Sequence, residues 1–388
     1  AGDGAINVTS DLRIYNQELN ASGDIGIVDS DVDINDNIAQ ASGRVNVANN
    51  LLSLEANTLG ATGALANAQL SDTRVDVTAI GNISLQMNAQ ATINGVSALQ
   101  ASSANLDGNQ VLAVSGGNRA TNELTLDASA GYGDLPITAA NANLNPGGPQ
   151  VRAPYGLANY QGNTGATGAD AEGSVLAEFA SNEASVVNGS TVTLNDNVFD
   201  ASVTANAVSN LMEERASAGG NASLAMTNGQ INEGGVTADA GTSGTPLFLS
   251  IDATGSATGT TDAIIVDSAL SVLDNMMMAT ARGNNATNVM DAEVGPQTTA
   301  NTSGAATASQ LGGVESTSAT YALFSGQQNT DSVQANSYGE ASITAEDTAG
   351  LVVDSSTVTL SGNVQQAVAV SNNVVNELML NGTNTGNA

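Results

Sequence analysis

The chain has 388 residues, 38 acidic against seven basic side chains, a formal net charge of −31, and no His, Cys or Trp. That excludes disulfides, thiolate or imidazole metal sites, and Ser-His-Asp or Cys-His catalysis. All seven cations are Arg (13, 44, 74, 119, 152, 215 and 282), so a Schiff-base lysine and a P-loop lysine are excluded too.

Sparse basic residues leave no electrostatic footprint for DNA or RNA, and anionic lipid surfaces would repel this chain. Aromatic residues are only 3 % and hydrophobic residues 41 %. Such a chain fills its core with many small aliphatic contacts, as stacked repeat architectures do. The apolar content and regular alternation argue against disorder. No stretch approaches the ~18 apolar residues that span a bilayer as a helix.

In chain order, the sequence opens at Ala1, which is what removal of a signal peptide would leave. An exported protein at the cell surface is the expectation. Residues 28–37 (VDSDVDINDN) carry Asp29, Asp31, Asp33 and Asp36. An EF-hand loop would need Gly at its sixth position and an acid at its twelfth, where Ile34 and Gln40 stand. The period-two acids therefore read as the solvent face of a strand, and neither a metal nor a cofactor is expected.

The same segment begins the first copy of a repeat. Five copies share Ser, Asn, Ala, Asn and Asn at fixed spacing. They are Ser30, Asn37, Ala41, Asn46 and Asn50; Ser102, Asn109, Ala113, Asn118 and Asn122; and Ser190, Asn197, Ala201, Asn206 and Asn210. Ser268, Asn275, Ala279, Asn284 and Asn288 follow, then Ser356, Asn363, Ala367, Asn372 and Asn376. Residues 186–210 and 352–376 agree at 13 of 25 positions without a gap. Each copy also carries an aliphatic residue three before its first Asn (Ile34, Leu106, Leu194, Val272, Leu360) and Leu or Met fifteen after it (Leu52, Leu124, Met212, Met290, Leu378).

The first Asn residues are 72, 88, 78 and 88 apart. Weaker copies lie between them: Val75 and Val77 before Asn82, Gln150 with Asn159 and Asn163, the stretch around Asn228, and Gln327 with Asn336 and Glu340. A unit of about 40 residues results. Within it the pattern alternates, as in Thr357-Val358-Thr359-Leu360, with Asn, Gly, Asp and Ser between the short strands. Three segments read as protruding loops: the Pro-containing 136–154 and the Gly/Thr/Ser-rich 234–259 and 295–313.

Two patterns invite chemistry. Glu213 and Glu214 are adjacent carboxylates of the kind glycoside hydrolysis uses, which keeps a polysaccharide-degrading β-helix enzyme as a remote alternative. Thr191/Thr193 and Thr357/Thr359 suggest a threonine array, but the equivalent places are Asp31/Asp33, Ser103/Asn105 and Ala269/Ser271, so no continuous array forms.

The expected fold is all-β: one repetitive, elongated β-solenoid over residues 1–388. A propeller has a similar unit length, yet the Gly-His and Trp-Asp signature is absent. Stacking places the repeated Asn residues above one another, where they accept left-handed turn angles and bond from coil to coil. Ala marks places too narrow for Leu. With two coils of ~20 residues per unit, ~19 coils spaced ~4.8 Å apart would make a rod of ~90 Å; one coil per unit is left open.

The repeat, Ser followed by Val-x-Leu-x-x-Asn-x-x-x-Ala-x-x-x-x-Asn-x-x-x-Asn-x-Leu/Met, resembles the holdfast anchor protein D family of stalked alphaproteobacteria. That resemblance implies export across the outer membrane and a non-enzymatic role in attaching an adhesive polysaccharide to the cell, with surface-anchor proteins or polysaccharide as partners. It carries over no catalytic residues. Curli-type amyloid subunits are a second resemblance, with differently spaced ladder residues; they imply end-to-end self-association into a fibre.

Overall fold

The computed structural model describes residues 4–19, 26–89, 97–132, 138–141, 149–181, 185–215, 223–255, 263–293, 306–309, 316–347 and 352–382. Apart from a small antiparallel sheet of inserted hairpins, the protein is a stack of parallel strands in five coils. The first coil shows the plan. A front strand, Ala5–Leu19, is followed by two short corner strands, Ile27–Val28 and Asp31–Asp33. A long strand, Ile38–Ala56, then runs back past the start of the front strand, and a closing strand, Gly63–Ser71, completes the turn. The next front strand, Arg74–Ala89, lies directly on the first, Ala5 against Arg74 through Leu19 against Asn88.

The long sheet contains Ile38–Ala56, Gln110–Ala128, Val198–Arg215, Met276–Glu293 and Val364–Asn381. The closing sheet contains Gly63–Ser71, Tyr155–Asn163, Leu224–Asn232 and Tyr321–Asn329. In these strands alternate side chains face inward, so a period-two pattern buries every second residue. Val198–Arg215 shows one departure. Phe199, Ala201, Val203 and Ala205 are buried, then the phase slips and Asn206, Val208, Asn210, Met212 and Glu214 are buried. The pairing ladder skips the same place, passing from Thr204 opposite Arg282 to Asn206 opposite Asn284.

That slip divides the interior into two lobes. The main lobe packs the front sheet and corner strands against the first half of the long sheet, with Val77, Leu85, Leu106, Phe179, Leu194 and Phe199 all buried. The second lobe packs the other half against the closing sheet around Leu124, Leu126, Tyr155, Met212 and Met290. Each such aliphatic side chain contributes about 1.5–3 kcal/mol by leaving water. Gly81 is required by this packing: a Cβ there would run into the Val111 side chain across the lobe.

The structure bears out the repetitive β-solenoid and revises its dimensions. The anchored motif recurs once per coil, at the 72, 88, 78 and 88 residues separating the stacked Asn residues. Five coils at ~4.8 Å spacing make a stack roughly 19 Å high, not the ~19 coils and ~90 Å expected. The weaker copies are other parts of the same coil. Asn159, Asn163, Asn228 and Gln327 lie on closing strands, whereas Val75, Val77 and Asn336 lie on front strands.

The expected loop at 234–259 is also corrected. Val236–Ala240 and Leu247–Gly255 are front strands of the fourth coil, and Val236, Ala238, Leu247, Leu249 and Ile251 are fully buried. Small residues misled the sequence reading, because inward positions facing a narrow core are filled by Ala as readily as by Leu. Within 136–154 and 295–313, the described strands lie off the coil. Thr138–Asn141 pairs with Gln150–Ala153, Ala306–Ser309 pairs with Ser316–Ala319, and the two hairpins join, Gln150 opposite Ser309. Val151 and Ala153 of this antiparallel sheet pack on Ala158, Ala225 and Ala322 of the closing sheet. Positions 136–137, 142–148, 256–259, 295–305 and 310–313 lie outside the described residues.

Candidate functional site: amide ladders and an arginine-lined concavity

The predicted repeat residues form vertical columns. The Ser column turns a corner: Ser30, Ser102, Ser190 and Ser268 each donate a backbone N–H to the Ser Oγ of the following coil at 3.0–3.1 Å. In the first Asn column, Nδ2 of Asn37, Asn109, Asn197 and Asn275 donates to Oδ1 of Asn109, Asn197, Asn275 and Asn363 at 2.8–3.0 Å. The same amides donate back to Ile34 O, Leu106 O, Leu194 O and, from Asn363, Val272 O. Ala41, Ala113, Ala201 and Ala279 are buried in the main lobe, and Ala367 pairs above Ala279.

The left-handed backbone angle falls on the residue before each ladder residue. Asp36, Gly108, Asp196, Asp274 and Gly362 precede the Asn column, and Asp29, Ala101, Gly189, Asp267 and Ser355 precede the Ser column, all with φ between 47° and 70°. This corrects the expectation for Asn. A reversed φ at the preceding residue aims the Asn side chain along the stack, leaving its amide free to bond neighbouring coils.

The remaining two Asn columns, Asn46/118/206/284/372 and Asn50/122/210/288/376, make the same interlayer bonds at 2.7–2.9 Å. They also tie the two sheets of the second lobe together. Asn118 donates to Gly162 O, Asn206 to Ile231 O and Asn284 to Gln328 O. Facing them is a ladder that the sequence reading missed: Asn67–Asn159–Asn228–Ser325, with Gln69–Gln161–Gln230–Gln327 beside it. The recurring Asn/Ser-x-Gln-x-Asn/Ser of NAQLS, NYQGN, NGQIN and SGQQN was the available signal. Buried amides cost free energy unless bonded, and here each column supplies its neighbours' partners.

The candidate chemical features come apart in space. Glu213 and Glu214 point to opposite faces of their strand. Glu213 accepts from Arg215 Nε at 2.7 Å in solvent, whereas Glu214 is 1 % exposed beside Tyr132, Tyr155 and Tyr321. Burial, then the Glu214 charge, pushes all three phenols up, Tyr155 to about 12. Two carboxylates so divided cannot flank one sugar ring. Asp31 and Asp33 accept bonds from Ser103 Oγ and Asn105 Nδ2 of the next coil. Among the described residues no three acidic groups are placed to hold a metal ion. Thr191 stacks between Ser103 and Ala269, so the threonine pattern is interrupted as the sequence indicated.

Two surface depressions differ in charge. One, on the front sheet, has a volume of about 560 Å³ and is lined by Glu178, Asp252 and Glu346 with Gln86, Phe179 and Thr344. The other, of about 320 Å³, lies along the outer face of the long sheet at the phase slip. Arg44 and Arg119 line it with Ser, Thr and Asn residues and Gly backbone, and among the described residues no carboxylate lines it. Arg44 belongs to the column Arg44–Gly116–Thr204–Arg282, so a third Arg stands on the same face. Sequence reading did not foresee this grouping, because the three residues are brought together only by stacking. No helix among the described residues is long and apolar enough to cross a membrane. Comparison with family models, curated proteins and solved structures finds no match for this chain.

Proposed function

We propose that the protein is a non-enzymatic, exported scaffold at the bacterial cell surface that tethers an adhesive polysaccharide, or another surface component, to the envelope. The observation that carries this reading is the stacking of amide columns through five coils, buried in the middle three and bonded both along the stack and across the second lobe. Such a lattice resists deformation, since displacing one coil breaks several bonds together. The solvated acidic exterior and the repeat's resemblance to holdfast anchor proteins support the same role. Deleting the gene in its host should lower retention of surface polysaccharide by cells under flow, and restoring the chain should recover it. Unchanged retention would reject the tether.

A fibre subunit is the second reading, and the end coils favour it. Every Asn ladder runs in one sense, Nδ2 of each coil to Oδ1 of the following one. The first coil thus turns Asn46 and Asn50 acceptors outward, and the fifth turns Asn372 and Asn376 donors outward. Val358, Leu360, Leu378 and Leu380 of the fifth coil are 45–51 % exposed, whereas their partners one coil before, Leu270, Val272, Met290 and Ala292, are buried. Unpaired sheet edges template further strands. Electron microscopy of concentrated protein would show filaments; discrete particles at every concentration would remove this reading.

A further inference from the structure

Of the seven arginines, Arg13, Arg74 and Arg215 each pair with a carboxylate two residues away. The other four, Arg44, Arg119, Arg152 and Arg282, make no ion pair among the described residues; Arg152 lies on the antiparallel sheet, whereas Arg44, Arg119 and Arg282 stand on the outer face of the long sheet beside the phase slip. A chain with 38 acidic side chains would ordinarily place carboxylates near any cation. Around Arg44 and Arg119 it places hydroxyls instead, those of Thr121, Ser202, Thr204 and Ser209. Asp200 and Glu123, nearby along the strands, fall outside the lining.

The slip makes the concavity. Outward residues before it, such as Ser202 and Thr204, and after it, such as Ala207 and Ser209, line the same hollow. Arg44 lies along the wall over Gly116, its Cγ 3.5 Å from where a Gly116 Cβ would stand. Arg282 is three coils above Arg44 in the same column, about 14 Å away at ~4.8 Å per coil. The hollow itself holds Arg44 and Arg119 among hydroxyl and amide groups, and Arg282, outside its lining, continues the same face along the stack axis, the direction an extended anionic chain would follow.

We propose that this concavity binds a polysaccharide bearing carboxylate or sulfate groups, with Arg44 and Arg119 contacting the anions and Arg282 extending the contact along the stack. Guanidinium presents a planar fork of donors that matches both anions, and the Ser and Thr hydroxyls match sugar hydroxyls. Nucleic acid fits poorly, because among the described residues no aromatic side chain lines the hollow to stack on bases. The choice of polymer rests on the tethering role above; the anion preference rests on the arginines.

The test is titration calorimetry of the full chain at low salt with oligogalacturonate, a sulfated oligosaccharide of equal length, neutral maltopentaose and single-stranded DNA. Binding of the uronate or the sulfated oligomer is expected, with maltopentaose and DNA at least tenfold weaker; the relative affinities of the two anionic oligomers distinguish carboxylate from sulfate. The double variant Arg44→Gln/Arg119→Gln should weaken binding at least tenfold, and Arg13→Gln/Arg74→Gln should leave it unchanged. Circular dichroism checks that both variants keep the fold. The proposal is overturned if neither anionic oligomer binds, if neutral sugar or DNA binds as well, or if the two double variants behave alike. Should cells need the chain to retain polysaccharide while Arg44→Gln/Arg119→Gln restores retention fully, the tether stands and this site falls.

Discussion

The third coil and the fifth coil carry the same ladder residues, yet those residues live in different surroundings. Leu194 is fully buried and its counterpart Leu360 is 51 % exposed. Asn197 bonds to both neighbouring coils and to Leu106 O, whereas Asn363 bonds only to the coil before it. Identical side chains at identical places in the repeat therefore differ in energetic weight, because the next layer, not the residue itself, removes water from the amide. A ladder residue is worth what its two neighbours make of it.

The sharpest way to break that contrast is to truncate both amides. Asn197→Ala should lower unfolding free energy by about 2–3 kcal/mol, since it orphans the buried Asn109 amide and Leu106 carbonyl. Asn363→Ala should cost less than about 1 kcal/mol, because water reaches the end coil. Urea titrations of the two variants provide the measurement, and equal losses would contradict the layer-dependent account.

A smaller effect comes from charge inside the stack. Burial, then Asp239, Glu172 and Asp76, raises Asp170 in the third coil from 3.8 to about 6. Between about pH 4 and 6 the native state holds a proton that the unfolded chain has released, so this residue's contribution to stability falls as pH rises through that window. Asp170→Asn should therefore stabilise the protein above pH 6, by no more than about 1 kcal/mol after solvent screening, and have no effect below pH 4. Melting temperatures across that range decide it; a gain independent of pH would contradict the assignment.

The smallest expected change lies at the left-handed turns. Ala101 holds φ of 50° where the third coil uses Gly189. Ala101→Gly should stabilise by about 0.5–1 kcal/mol, because Gly adopts this conformation without a Cβ clash. Thermal melts that shift downward would show that strain at this turn is not what limits the second coil.

The fold was largely legible in the sequence where repetition carried it. Ser30, Asn37, Ala41, Asn46 and Asn50 and their four sets of counterparts could be aligned because stacking demands the same residue type at the same place in each coil. The comparison of Thr191 with Ser103 and Ala269 held for the same reason. The size of a coil was not legible. Half of each coil carries a different ladder, and 92, 69 and 97 residues separate its layers, so unequal insertions blurred the spacing. The concavity escaped as well: Arg44, Arg119 and Arg282 share no local motif.

By itself, then, the sequence determined the strand period, the columns of small and amide residues, and the exclusion of His- and Cys-based chemistry. Those are local or strictly repeated properties, visible wherever residues recur in phase. Tertiary structure alone decided that five wide coils form, that a second amide ladder faces the first, that Glu213 and Glu214 part, and that three unpaired arginines share one face. Each of these depends on which layer meets which, and that is settled by pairing between residues some 70 to 97 positions apart.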